Sequence, residues 1–126
     1  MDDKKRILIV DDDDQIAQMY TALLNIKGFE TKRVNNGEDA LAEVQEFKPD
    51  LILLDVMMPK ISGFDVADIL HNTVDTKEIP IIMLSALGAK EDRERAAAAG
   101  VVYYYVKTEI DTESIAQKID EILSEK

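Results

Sequence analysis

The stretch Leu51-Ile52-Leu53-Leu54-Asp55-Val56-Met57-Met58-Pro59-Lys60-Ile61-Ser62-Gly63 decides the fold. Four consecutive apolar residues, Leu51 to Leu54, follow closely on Pro49. A short apolar run of this kind fits a strand buried on both faces, as in a parallel sheet covered by helices. The run stops on a carboxylate, and Pro59 and Gly63 then mark a loop. Asp55 is therefore expected at the C-terminal end of a central strand, where open α/β sheets place their ligands.

The same alternation recurs on both sides of this stretch. Upstream, Arg6 to Val10 reads as a first strand that ends abruptly on Asp11, Asp12, Asp13 and Asp14. Ile16, Met19, Tyr20, Leu23 and Leu24 then follow the i, i+3, i+4, i+7, i+8 spacing of an amphipathic helix. Gly28 suits the stop of that helix. Phe29 to Val34 reads as a second strand, Asn35-Asn36-Gly37 as a turn, and Glu38 to Phe47 as a second helix.

Downstream, Phe64 to about Asn72 reads as a third helix, Thr73 to Glu78 as a polar loop, and Ile79 to Leu84 as a fourth strand. Pro80 stands near the start of that strand, where a missing donor does least harm. Lys90 to Ala99 is a charged, alanine-rich helix stopped by Gly100, and Val101 to Val106 is a fifth strand that ends on Lys107. Asp111 or Thr112 caps a last helix bearing Ile115, Ile119, Ile122 and Leu123. Five strands alternating with five helices mean βαβ units with right-handed crossovers, and hence one parallel sheet with helices on both faces.

The 126 residues, 46% of them hydrophobic, suit a single domain over 1–126 with a core of its own. Without cysteine there is neither a disulfide framework nor a thiolate metal site. Met1 is not followed by a secretory apolar region, and nothing approaches the ~20 apolar residues of a membrane span. A soluble, cytoplasmic protein is expected. The formal charge of −11, from 15 basic and 26 acidic residues, argues against direct binding to nucleic acid or an anionic membrane. It favours cations and basic partner surfaces.

Four apolar runs end on polar residues: Asp11 and Asp12 after the first strand, Asp55 after the third, Ser85 after the fourth and Lys107 after the fifth. In a parallel sheet these ends share one edge. Three carboxylates crowded together repel one another unless a cation offsets them. A hard ion such as Mg²⁺ suits carboxylates, a backbone carbonyl and waters. A hydroxyl, an ammonium and Mg²⁺ around one carboxylate are what phosphoryl transfer needs, because it is catalysed by positioning and charge neutralisation. Asp55 is the carboxylate so placed to act as a nucleophile.

With these residues in view the chain resembles the receiver domain of two-component response regulators. The matching residues are Ile7 to Asp12, Asp55 to Pro59 with Gly63, Ser85-Ala86, and Tyr104 three residues before Lys107. The resemblance spans essentially the whole chain. It implies a flavodoxin-like fold, doubly wound, with sheet order 2-1-3-4-5. It further implies that Asp55 accepts a phosphoryl group from a histidine kinase or phosphotransfer protein. Asp12, Asp55 and the backbone carbonyl of Met57 would ligate Mg²⁺, with Asp11 helping through a water. Ser85 and Lys107 would contact the phosphoryl oxygens. Ser85 would move toward them and Tyr104 turn inward, altering the face made by helix four, strand five and helix five, where a downstream partner or effector domain binds. On this reading the chain is a switch rather than an enzyme, catalysing only its own phosphorylation and slow dephosphorylation. Because it ends soon after the last helix, no effector domain is expected within it, and it is read either as a stand-alone receiver or as one excised from a longer protein.

Two departures from the family pattern carry expectations. The lysine is usually followed by proline through a cis bond, whereas Lys107 precedes Thr108, so a trans path is expected, since a cis non-proline bond costs roughly 3–4 kcal/mol. Met57 and Leu87 stand two residues beyond Asp55 and Ser85, where the family tunes dephosphorylation. Both are apolar and cannot orient an attacking water, which predicts a long-lived phosphoryl group.

Rival readings are a receiver-fold binding module that takes no phosphate, and a Mg²⁺-dependent aspartyl-phosphate phosphohydrolase. Haloacid-dehalogenase-type enzymes of the latter kind need a second aspartate where this chain has Met57. Flavin binding at the same edge lacks a Ser/Thr-rich phosphate loop. Asp13 and Asp14 read as helix N-terminal acids that complement the dipole. The Tyr103-Tyr104-Tyr105 run is first of all strand filling. No function attaches to His71.

Overall fold

The computed structural model describes residues 4–124. In chain order the elements are β1 (Arg6–Val10), α1 (Asp14–Ile26), β2 (Glu30–Val34), α2 (Gly37–Phe47) and β3 (Leu51–Asp55). They continue with α3 (Gly63–His71), β4 (Ile81–Ser85), α4 (Lys90–Ala98), β5 (Tyr103–Val106), a 3-10 turn over Lys107–Glu109, and α5 (Thr112–Ser124). The strands form one parallel sheet in the order β2-β1-β3-β4-β5. This is the flavodoxin-like, doubly wound arrangement.

The continuous apolar runs follow from burial on both faces. Leu8, Val10, Ile52, Leu54, Ile81 and Met83 point to one layer, filled by residues such as Val44 of α2, Val66 and Leu70 of α3 and Ala96 of α4. Their neighbours Ile7, Ile9, Leu51, Leu53, Ile82 and Leu84 point to the other, against Tyr20 and Leu24 of α1 and Ile115, Ile119 and Ile122 of α5. Alternation along each strand therefore serves two cores. Each large aliphatic side chain removed from water contributes roughly 1.5–3 kcal/mol. The three central strands are thereby fixed, and with them the positions of their last residues.

Several boundaries lie elsewhere than the sequence suggests. Pro80 sits just outside β4, where its carbonyl accepts from the Ile52 amide at 3.0 Å. Val101 is not a strand residue, because its amide donates to the Ala96 carbonyl at 3.0 Å and closes α4 instead. Thr76, expected in a polar loop, is buried and donates its hydroxyl to the Leu70 carbonyl at 2.7 Å. His71 lies against Gly100, where a Cβ would strike the imidazole and φ is +87°. No helix among the described residues is long and apolar enough to cross a membrane.

Candidate functional site

Each chemical group at the C-terminal edge of the sheet is placed by the strand before it. β1 delivers Asp11 and Asp12, β3 ends on Asp55, β4 ends on Ser85, and β5 hands over directly to Lys107. One carboxylate oxygen from each of Asp11, Asp12 and Asp55 lies within 4.8 Å of the others. Asp11 and Asp55 are buried and Asp12 is exposed, so the cluster has one open side. Lys107 Nζ reaches Asp55 Oδ1 at 3.2 Å and Asp11 Oδ2 at 3.5 Å. The Lys107–Thr108 bond is trans, as expected, and the 3-10 turn that begins at Lys107 still lets the ammonium reach the carboxylates.

The electrostatics follow from burial and like charge. Burial, joined by the charge of Asp11, pushes the Asp55 carboxyl up to about 6 against the pull of Lys107. Asp11 is also raised, by burial first, although the Asp13 amide and Lys107 oppose the shift. Burial works against the Lys107 ammonium, but Asp55 and Asp11 outweigh it and hold that group above its ordinary value. Two buried carboxylates thus share one ammonium, and a third lies at the rim. A hard divalent cation fits this donor set, since oxygen ligands that repel one another when ionised are what such an ion neutralises.

The loops around the site are tightly held. The Asp11 carboxylate accepts from the Asp13 amide at 2.9 Å. Asp13 in turn caps α1, accepting from the amides of Gln15 and Ile16. The loop after β3 closes through Gly63, whose amide donates to the Val56 carbonyl at 2.8 Å. A Cβ on Gly63 would collide with the backbone carbonyl of Asp55, so only glycine lets α3 start so close to the site. Ser85 Oγ is buried and accepts from the Leu87 amide at 2.9 Å. The Leu87 carbonyl accepts from the Tyr104 hydroxyl at 2.6 Å, so Ser85 and Tyr104 are joined through one residue. Met57 is 56% exposed at the mouth of the site, and Leu87 is half-buried.

Arg33 of β2 is a member of this neighbourhood that the sequence reading missed. Its Nε and Nη2 donate to the Asp11 carbonyl at 3.1 and 2.8 Å, and Nη2 pairs with Asp14 Oδ1 at 2.8 Å. No motif marks it. Only the register that sets Arg33 beside Ile9 of β1 brings it there.

A doubly wound parallel sheet with an acidic cluster and a lysine at the carboxyl ends of its strands defines a class of α/β domains whose site lies at that edge. Within that class the chain belongs to the response regulator receiver domain family, whose family model matches residues 7–120. It is 40% identical over 117 residues, 93% of its length, to the gliding motility regulatory protein of Myxococcus xanthus. It is 35% identical over 103 residues to the polar-differentiation response regulator DivK of Brucella anthropi, covering 82% of this chain and 84% of that one. The chain spans only 15% of the Myxococcus protein and 44% of the DNA-binding response regulator MtrA of Mycolicibacterium smegmatis. Among solved structures it is similar to a response regulator from Chloroflexus aurantiacus, with a TM-score of 0.89, 31% identity, and coverage of 97% of this chain and 99% of that one. The chemotaxis response regulator CheY4 of Vibrio cholerae has a TM-score of 0.87 and 28% identity, with 95% and 99% covered. The chain is thus a receiver domain of a two-component response regulator, a type of signalling domain that works with histidine kinases or phosphotransfer proteins.

Proposed function

We propose that this receiver is a phosphorylation-controlled switch in which Asp55 takes the phosphoryl group. The observation that carries this reading is the convergence of Asp11, Asp12 and Asp55 within 4.8 Å, with Lys107 Nζ 3.2 Å from Asp55. In the transfer an Asp55 carboxylate oxygen forms the new O–P bond. The P–N bond of the donor phosphohistidine breaks, and its electron pair returns to the imidazole nitrogen. Asp12, Asp55 and the Met57 carbonyl would hold Mg²⁺, with Asp11 acting through a water. Bound there, the ion supplies charge neutralisation for the carboxylates and for the phosphoryl oxygens.

The other groups have distinct tasks. Lys107, already paired with Asp55, neutralises a phosphoryl oxygen once Asp55 is esterified. Ser85 Oγ donates its proton to a second oxygen while it can still accept from the Leu87 amide, so a shift of Ser85 toward the phosphoryl group draws on Leu87. Leu87 is also what the Tyr104 hydroxyl holds, so movement of Ser85 repacks Tyr104. The consequence reaches the face of α4, β5 and α5, where a downstream partner or effector domain would read it. The phosphodonor is a histidine kinase or phosphotransfer protein, and the chain works as one receiver domain.

The test is incubation with Mg²⁺ and acetyl phosphate, followed by intact mass. One added phosphoryl group in wild type, absent from Asp55→Asn and absent without Mg²⁺, is the expected result. No adduct, despite measurable Mg²⁺ binding, would leave a receiver fold used only for binding.

A further inference from the structure

Arg33 has a geometry that a solvated surface arginine does not need. Its side chain is 27% exposed, and two of its nitrogens converge on a single carbonyl, that of Asp11. The Asp11 amide in turn donates to the Val34 carbonyl at 3.2 Å, so both main-chain groups of Asp11 are tied to β2. The Asp11 carboxylate is fixed separately, by the Asp13 amide and by Lys107. Backbone and side chain of this one residue are thus anchored from three directions. The same guanidinium holds Asp14 at the start of α1 and spans the four-aspartate run between its first and last members.

We propose that Arg33 is the positioning residue of the acidic site: its forked grip on the Asp11 carbonyl sets the direction in which Asp11 and Asp12 present their carboxylates to a divalent cation. This inference rests on the reading of the cluster as a Mg²⁺ site. The argument is one of reach. A peptide unit held by a planar fork cannot rotate freely, and the side chains on either side of it inherit that constraint. Partners that orient metal ligands without touching the ion commonly govern affinity by 10- to 100-fold.

Two roles for Arg33 predict opposite signs. Acting only as a positive charge near a cation site, it would repel Mg²⁺, and its removal would tighten binding by a few-fold. Acting as a positioner, it supports the ion in spite of its charge, and its removal weakens binding. Lysine separates the two, because it keeps the charge and loses the fork.

The experiment is calorimetric titration of the full chain with MgCl₂ for wild type, Arg33→Met and Arg33→Lys, with thermal unfolding of the same metal-free samples. The expected result is a rise in Kd by roughly tenfold in both variants. A lowered unfolding temperature with unchanged Kd in either variant would make Arg33 a stabilising residue only and overturn the proposal. So would tighter binding by Arg33→Met beside an unchanged Arg33→Lys. Lack of Mg²⁺ binding by wild type would defeat the cation reading and this inference together, whereas a Kd unchanged from wild type in both variants defeats this inference alone.

Discussion

Lys107 Nζ lies 3.2 Å from Asp55 Oδ1 and so joins the ends of β5 and β3, two strands that β4 separates in the sheet. The bridge passes across the end of β4, whose last residue is Ser85. Among the described residues, Lys107 is the cation that pairs with both Asp55 and Asp11. Replacing it by alanine leaves two buried carboxylates without their cation. Lys107→Ala is expected to lower metal-free stability by about 1–3 kcal/mol, less where the carboxylates protonate. Urea unfolding near pH 7 checks this, and an unchanged midpoint would contradict it.

Asp55 carries the complementary prediction. Its carboxyl titrates near 6 in the folded chain, above the ordinary 3.8. The folded state therefore binds this proton more tightly than the unfolded state. The stabilisation that protonation gives is fully present below the unfolded value and is lost as pH rises through about 6. Asp55→Asn removes the charge at every pH. The metal-free variant is expected to exceed wild type in stability by on the order of 2 kcal/mol near pH 8, with the gap closing toward pH 4. A variant less stable than wild type near pH 8 would refute this.

Gly63 shows how far the loop geometry depends on one missing atom. A Cβ there meets the Asp55 carbonyl, which is main chain and cannot step aside without moving the acceptor. Gly63→Ala is expected to cost roughly 1–3 kcal/mol and to slow acceptance of phosphate from acetyl phosphate. Unfolding and initial-rate measurements on the same preparation test both halves.

Tyr104→Phe tests the link between Ser85 and β5. Removing the hydroxyl leaves the Leu87 carbonyl without its 2.6 Å donor. The expected cost is about 1 kcal/mol, with faster amide exchange confined to the segment between β4 and α4. Exchange that rises evenly across the chain would contradict a local role.

The apolar pair Met57 and Leu87 predicts a phosphoryl group that survives well beyond seconds. Neither side chain can hold an attacking water, although Met57 is exposed at the mouth of the site. Met57→Asn is expected to shorten the lifetime by about tenfold or more, as a positioned polar group does for water attack. Decay of the phosphoprotein by intact mass measures both, and a wild-type half-life of seconds would contradict the reading.

The acceptor edge was legible because each central strand is an apolar run that stops on a polar residue, and parallel topology brings such stops together. Asp11, Asp12, Asp55 and Ser85 needed no more than that. Lys107 was harder, since its reach depends on the path of a turn whose usual proline is Thr108. Arg33 was invisible, because it stands among the polar residues Glu30, Thr31 and Lys32 with no motif to mark it, and the pairing register of β2 with β1 is a property of the assembled sheet. Val101 was misread for a related reason: the left-handed residue Gly100 turns the chain back onto α4, and that closure takes the Val101 amide before β5 can.

The central claim is that Asp55 forms an acyl phosphate, and chemical trapping tests it most directly. After reaction with Mg²⁺ and acetyl phosphate, borohydride reduces an aspartyl phosphate to homoserine, which peptide sequencing by mass spectrometry locates. Homoserine at position 55, and nowhere else, is the expected result. Homoserine at position 11 or 12, or none in a chain that binds Mg²⁺, would contradict the assignment of Asp55 as the acceptor.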